Sequence, residues 1–467
     1  MADQYDVVII GGGPGGYAAA LYGAAAGLSV AMVEKEKVGG TCLHRGCIPA
    51  KELLESASVF QAVAGAAQFG VHAGEPTIEW GETMARKDKV VEGLWKGLQS
   101  LLKGRKVTTV AGTGVYAGGG KVVVTGRADG ATRELEGGSV ILAAGSVPRT
   151  LPGFEVDGRF VLTSDETLAM EDLPATVAVI GGGAIGCEFA SMMADLGVKV
   201  TILEFLPKIL PGCDADVAAV VLKSFKRRGI EVRTGVKVSG HTPKGSSTTV
   251  HLEKGDDVVV DRVVMSVGRA PLSSSLGLDG TGVEVDDRGF VKVGETCRTT
   301  VDGVWAIGDL VATPQLAHVG FAEAIVAIRD ILGESPVPVQ YDRVPWAIYC
   351  KPEVAFAGHS EASAKEAGID AVVSKHQFRG NSRALIVGET EGLVKVIAAK
   401  GADGRAGQIL GVHMVGPWVT EQLGQGYLAL NWEATVDEVA QFIQPHPTLS
   451  ELFGETIMSL TGRGLHG

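Results

Sequence analysis

Positive charge is in short supply: 42 Lys and Arg stand against 54 Asp and Glu, a formal net charge of −12. A field of that sign repels phosphate backbones and anionic lipid, so neither nucleic acid nor a membrane surface is an expected partner. Cysteine is sparse, six in 467 residues, which excludes the dense disulfide framework of small secreted domains. No hydrophobic run is long enough to span a bilayer without interruption. Residues 5–33 carry almost no charge and have the length, yet Gly11, Gly12, Gly13, Pro14, Gly15 and Gly16 sit in their middle. Asp3 and Asp6 stand where a signal peptide carries positive charge. A cytoplasmic protein is expected. Aromatics are few at 6 %, while glycine is abundant at 66 residues. With the many Ala and Val, this fits an α/β protein rich in tight strand-to-helix turns. The length predicts about three domains.

Cys42 and Cys47 lie in Thr-Cys-Leu-His-Arg-Gly-Cys-Ile-Pro-Ala-Lys, residues 41–51. A disulfide closing so small a ring adds little stability, less than ~3 kcal/mol in the chain-entropy model. On a regular helix a five-residue step rises ~7.5 Å, beyond the ~7 Å at which two cysteines can be bridged. A bridge here requires a distorted first turn, and strained bridges are the labile, catalytic ones. Two unrelated buried thiols are the alternative. Cys187, Cys213, Cys297 and Cys350 stand alone and read as core or surface thiols.

Ahead of that segment runs a nucleotide fingerprint. Residues 6–10, Asp-Val-Val-Ile-Ile, suit a buried parallel strand. Gly11-x-Gly13-x-x-Gly16 and an Ala-rich helix to residue 26 follow, then Gly27, a strand at 28–33 and Glu34. The glycines permit the tight turn and close approach of a pyrophosphate, the helix N-terminus faces its charge, and the acid takes ribose hydroxyls. The unit recurs: Gly181, Gly183, Gly186, Gly197 and Glu204 match Gly11, Gly13, Gly16, Gly27 and Glu34 at one offset. Two dinucleotides are therefore expected, with hydride or electrons passing between them. Glu204 accepts from a 2′-hydroxyl and repels a 2′-phosphate, and residues 205–207 are Phe-Leu-Pro. NAD is favoured over NADP.

These motifs, with Glu188, Val-Trp-Ala-Ile-Gly-Asp at 304–309 and His-Pro-Thr-Leu-Ser-Glu at 446–451, resemble the FAD-dependent pyridine nucleotide–disulfide oxidoreductases of class I. The likeness covers essentially the whole chain and is nearest to their dihydrolipoamide dehydrogenase branch. It implies an α/β fold with two Rossmann-like domains, for FAD and NAD, plus a C-terminal α+β dimerisation domain. It implies FAD contacts at Gly11, Gly13, Gly15, Gly16, Glu34, Lys35, Gly40, Thr41, Lys51, Gly114, Gly145, Asp309 (on the ribitol) and Ala317. NAD contacts are implied at Gly181, Gly183, Ala184, Ile185, Gly186, Glu188, Glu204, Val238, Gly268 and Arg269, with Lys51 and Glu188 paired beside the flavin. No metal is implied. Glutathione-type reductases resemble the chain but use NADP. Mercuric reductases carry a C-terminal cysteine pair that residues 462–467 lack, and soluble transhydrogenases lack the redox pair. The chain departs from the branch at His44-Arg45 (usually Asn-Val), Ala144 and Cys350 (usually Thr), and Gln444 (usually His). Arg45 reads either as a cation lowering a thiolate pKa or as solvated.

The resemblance implies catalytic roles for Cys42, Cys47, His446 and Glu451. Dihydrolipoamide attacks Cys42, His446 takes the thiol proton and Glu451 orients the imidazolium. Cys47 contacts FAD, NAD is reduced, and ping-pong kinetics follow. Read from the residues alone, His446 between Pro445 and Pro447 is a buried histidine. The resemblance implies a homodimer in which His446 serves the other subunit's disulfide, and a lipoyl domain of a 2-oxo acid dehydrogenase or glycine cleavage complex as partner. Domains are expected at 1–148 (FAD), 149–270 (NAD), 271–345 (returning to FAD) and 346–467 (interface). Two rivals stand beside this reading. One is a noncatalytic flavoprotein or NAD-sensing module; the other is an NAD(P)H-dependent reductase of another small disulfide or a quinone.

Overall fold

The computed structural model describes residues 3–466. Its first sheet is built on Asp3–Ile10, whose last four residues are buried on both faces, as in a central parallel strand. Val30–Glu34 and Thr132–Leu142 flank it in parallel. Thr108–Gly118 lies beyond Val30–Glu34, and Lys121–Gly126 ties it antiparallel to Thr132–Leu142. Val304–Ala306, from far along the chain, adds a parallel strand beside Thr132–Leu142. The strand read at 28–33 begins two residues later, because the Leu28 N–H is still bonded to Gly23 O at the helix end.

The crossover helix Pro14–Ala25 buries Gly15, Gly16, Ala19, Ala20 and Gly23. That small-residue face lets it lie against Ala317–Ile331: a Cβ on Gly15 would stand 3.4 Å from Gly320 O. The second unit repeats the plan. Its sheet runs Glu231–Thr234, Lys199–Glu204, Thr176–Ile180, Arg262–Met265, Val161–Leu162, all parallel, with Ala184–Asp195 as crossover helix. A two-stranded antiparallel ribbon, Ser146–Pro148 against Arg269–Pro271, joins the two units. The third sheet is antiparallel, in the order Trp346–Ile348, Glu353–Gly358, Ala406–Gly416, Leu393–Lys400, Ala371–Gln377. Leu423 of Val419–Asn431 and Phe453 and Ile457 of Glu451–Leu460 share a core with Val412 and Met414 of that sheet. The expected architecture, two dinucleotide-binding units and a C-terminal α+β region, is the one found.

One core cluster locks the parts together. Ala50, Leu53 and Ala57 of the helix Cys47–Ala64 share it with Phe189, Met192 and Met193 of the second unit, and the same cluster continues to Ile348, Val354 and Phe356 of the third region. Fully burying a Leu, Ile, Val, Phe or Met side chain is worth about 1.5–3 kcal/mol. The helix that begins at a redox candidate is therefore anchored in a core common to all three parts. A buried ion cluster reinforces the join: Lys395 Nζ, on a side chain only 2 % exposed, lies 2.9 Å from Asp214 Oδ1, 2.9 Å from Asp216 Oδ2 and 2.7 Å from Glu361 Oε2. Asp214 also caps the helix Ala215–Arg227 by accepting from Asp216 N. Cys187, Cys213, Cys297 and Cys350 are all buried core thiols.

Candidate active site

The two glycine loops are built alike. Gly11 has φ +111° and Gly181 φ +105°, and a Cβ on them would come within 2.2 Å of Ala143 O and 2.3 Å of Ser266 O. Gly16 and Gly186 bring each helix onto its own loop: a Cβ there would meet Gly11 O at 1.9 Å or Gly181 O at 2.0 Å. Gly13 and Gly183 are different. A Cβ on Gly183 meets nothing within 4 Å, and one on Gly13 meets only Gly40 Cα at 4.0 Å. Both residues cap their helices with no side-chain acceptor. Each loop therefore leaves room beside its helix N-terminus, where a phosphate is at home. The acids match as well. Glu34 accepts from Gly12 N at 2.7 Å and Glu36 N at 2.7 Å, while Glu204 accepts from Gly182 N at 2.5 Å and Leu206 N at 2.6 Å. Each carboxylate is held at the loop with lone pairs left for ribose hydroxyls. The residues present fit two dinucleotides.

The thiol segment is docked onto the first loop. Gly40 has φ +56°, a Cβ on it would stand 2.6 Å from Gly13 Cα, and Gly39 N donates to Gly12 O at 2.7 Å. Thr41 and Cys42 follow in the short helix Gly40–Arg45; Gly46 (φ −148°, ψ −113°) breaks it, and Cys47 starts Cys47–Ala64. The break supplies the distortion that the five-residue spacing demanded. Both thiols are free, and each feels the other. The neighbouring Cys42 thiol lowers the Cys47 pKa to about 7, with help from the Lys51 ammonium against the opposing effect of burial. Cys42, beside Cys47 and buried, is pushed well up. Cys47 at the first position of an 18-residue helix also faces the positive end of the helix dipole.

Lys51, one turn on from Cys47 on the same helix face, donates to Glu188 Oε1 at 2.9 Å and Oε2 at 2.8 Å. The Glu188 side chain is 8 % exposed and accepts also from Tyr349 N at 2.9 Å. Asp309 accepts from Ser146 Oγ at 2.5 Å. Arg269, which the resemblance puts on the NAD side, donates to Ser146 Oγ at 2.7 Å and lies 3.7 Å from Asp309. It thus ties the ribbon between the units to Asp309. Gly145 (φ +73°) and Gly268 (φ +99°) turn the chain into the two ribbon strands. Gly114 is packed under Val33 and Ile10, Ala317 opens its helix, and Ile185 is exposed at the mouth of the second loop. Lys35 is exposed beside Glu34. Val238 opens the strand Val238–Lys244, which pairs antiparallel with Ser247–Leu252, and among the described residues it shares no hydrogen bond with the glycine loops.

His446 is not the buried histidine that its own flanks suggest. Its side chain is 71 % exposed, Nδ1 sits 2.9 Å from Glu451 Oε1, and Glu451 Oε2 accepts from Thr448 N at 2.6 Å. Within the chain no hydrogen bond joins this pair to either thiol among the described residues. Arg45 is neither solvated alone nor turned on the thiols: it reaches Glu36 at 2.8 Å and Asp165 at 3.6 Å. His44 shares a hydrogen bond with Val38 O. Ser146 and Tyr349 carry no sequence signal, since an isolated Ser and Tyr acquire meaning only from what the fold brings to them.

Two dinucleotide cradles, one with a polarised thiol pair seated on it, define a thiol oxidoreductase that works through two cofactors. Comparison with known proteins agrees. The pyridine nucleotide-disulphide oxidoreductase family model matches residues 5–324, and that family's dimerisation domain matches residues 344–457. The dihydrolipoyl dehydrogenase of Bacillus subtilis is 41 % identical over 479 aligned positions that cover 100 % of both chains. Dihydrolipoyl dehydrogenase 3 of Pseudomonas putida is 38 % identical, covering 99 % of each. Among solved structures, LpdA of Mycobacterium tuberculosis superposes with a TM-score of 0.91 at 28 % identity, covering 98 % of this chain and 100 % of that one. The chain belongs to the pyridine nucleotide-disulphide oxidoreductases. It is an FAD- and NAD-dependent enzyme whose C-terminal region is a dimerisation domain.

Proposed function

We propose that the protein oxidises dihydrolipoamide to lipoamide and reduces NAD, with FAD held in the first cradle and NAD in the second. The observation that carries this is the polarised pair: Cys47 opens a long helix, one turn before the Lys51–Glu188 pair, and so becomes the better leaving group. FAD, when bound, takes two electrons from the thiols and hands them as hydride to NAD. Glu204, followed by Phe205, Leu206 and Pro207, suits an unphosphorylated ribose.

The residues then divide the work. A substrate thiolate attacks Cys42 Sγ of the oxidised pair, breaking its bond to Cys47 and expelling Cys47 as thiolate. Exchange runs faster when the departing thiol has the lower pKa. His446, its Nδ1 held by Glu451, takes the proton of the second substrate thiol through Nε2. That thiolate closes the lipoyl disulfide and releases Cys42. Because His446 is exposed and touches neither thiol of its own chain, we assign it to the dithiol of the partner in a homodimer. The dimerisation domain presents Trp418, Leu428, Trp432, Phe442 and Ile443 exposed, which supports a broad apolar contact. We infer a lipoyl domain of a 2-oxo acid dehydrogenase or glycine cleavage complex as the donor. A cytoplasmic setting supplies both that partner and NAD. We divide the chain at 1–148, 149–270, 271–345 and 346–467; the pairing of Val304–Ala306 with Thr132–Leu142 in the first sheet supports a segment that returns to the first unit.

Reduction of another small disulfide or a quinone by NAD(P)H is the second reading. It draws on the TM-score of 0.85 to a HOCl-induced flavoprotein disulfide reductase, RclA of Escherichia coli, at 26 % identity. One experiment separates them. Purified yellow protein should couple dihydrolipoamide to NAD and leave glutathione disulfide with NADPH untouched; the opposite pattern refutes the proposal.

A further inference from the structure

Tyr349 belongs to the third region, two residues before the cis Lys351–Pro352 bond, yet it touches the cation beside the thiols. Its backbone N–H donates to Glu188 Oε1 at 2.9 Å, and Lys51 Nζ sits 5.0 Å from the centroid of its ring. Lys51 is thus held by two things: the carboxylate and an aromatic face. A lysine carries four rotatable bonds and keeps its charge aimed only where something fixes the ammonium. An ammonium within about 6 Å of a ring centroid is attracted to the face. Tyr349 is itself half-buried, so solvent does little to weaken the contact.

We propose that Tyr349 is a positioning residue of the dithiol site: its ring seats the Lys51 ammonium so that the charge stays on the Cys47 side of the Lys51–Glu188 pair. The inference rests on the reading of Cys47 as the working thiolate. It makes the dimerisation region a contributor to thiol chemistry through this chain's own fold, separately from His446. The groups that face Cys47 and Lys51 are Cys42 and Tyr17 from the first unit, Glu188 and Arg269 from the second, and Tyr349. Glu353 and Glu421 stand behind Tyr349. Of these, the ring is the one contact on Lys51 that a side-chain substitution at 349 removes while leaving the Glu188 bond, made by the backbone, in place.

The test uses reduced holoenzyme. Iodoacetamide alkylation of Cys47 is followed by mass spectrometry as a function of pH, which reads ionisation without turnover. Wild type should show a midpoint near 7, and Tyr349→Phe, which keeps the face, should match it. Tyr349→Leu and Tyr349→Met should both raise the midpoint by roughly half a pH unit, the scale of a partly shielded cation–aromatic contact. In a Lys51→Met background, Tyr349→Leu should add no further shift. An unmoved midpoint in both Leu and Met variants overturns the inference, as does an equal shift with and without Lys51. A wild-type midpoint above 9 overturns the thiolate reading itself, and the inference falls with it.

Discussion

Subunit complementation puts the split site to its sharpest test. Cys42→Ser removes the attacked sulfur, and His446→Ala removes the base; each homodimer then holds two broken sites. Losing a positioned base costs about 10²–10⁴-fold, and losing the attacked sulfur abolishes lipoamide turnover. Let the two variants be co-expressed with different tags, so that chains pair at random in a twofold dimer. Half of the dimers are mixed. If His446 serves the opposite chain, each mixed dimer has one doubly broken site and one intact site, because the intact Cys42 faces the intact His446. Recovered activity is then about a quarter of wild type per total chain, and about half for mixed dimers purified through both tags. If His446 acted within its own chain, every site in the mixed dimer would lack one member and activity would stay at the background of the single variants. The exposed ring and its single anchor on Glu451 select the first outcome. Background activity in doubly purified mixed dimers refutes the arrangement.

Other expectations are simpler. In the reduced protein the Cys47 pKa is lowered, so its contribution to stability is present above the unfolded thiol value and fades as pH falls through about 7. That is worth about 2 kcal/mol, and urea midpoints of the wild type should gain on those of Cys47→Ser between pH 6 and 9; parallel curves would contradict it. Lys395→Met leaves Asp214 buried without its cation. Removal of one partner from a buried pair costs about 3–5 kcal/mol, which should appear as earlier proteolysis near residues 214–216; unchanged cleavage and melting would show the cluster to be neutral. Glu204→Ala frees Gly182 N and Leu206 N and removes the ribose acceptor, so the KM for NAD should rise at least tenfold, the worth of about 1.4 kcal/mol, with the flavin spectrum unchanged.

The duplicated unit was legible because its glycines answer backbone geometry. No other residue fits 1.9 Å from a carbonyl oxygen, as at Gly16, or 2.0 Å, as at Gly186. The demand is written into the sequence at both copies. The break between the thiols was legible for the same kind of reason, since a regular helix holds Cys42 and Cys47 too far apart. Element ends were less so: Leu28 looked like the start of a strand but is consumed by the cap of the preceding helix. Charges were the least legible. Arg45 could be placed beside the thiols by numbering, yet its partners Glu36 and Asp165 lie on other segments. Lys395 reads as an ordinary strand lysine until the fold sets three carboxylates around it. Ser146, Arg269 and Tyr349 draw their meaning from partners more than 100 positions away in the chain, and no local pattern encodes such a pairing.

The cluster around Ala50, Leu53 and Ala57 has a mechanical consequence. One continuous apolar mass runs from the dithiol helix through the second unit into the sheet of the third region, and close-packed interiors transmit strain. A bulkier side chain at Ala50 or Ala57 therefore pushes on all three at once, whereas a change at the part-exposed Arg45 stays local.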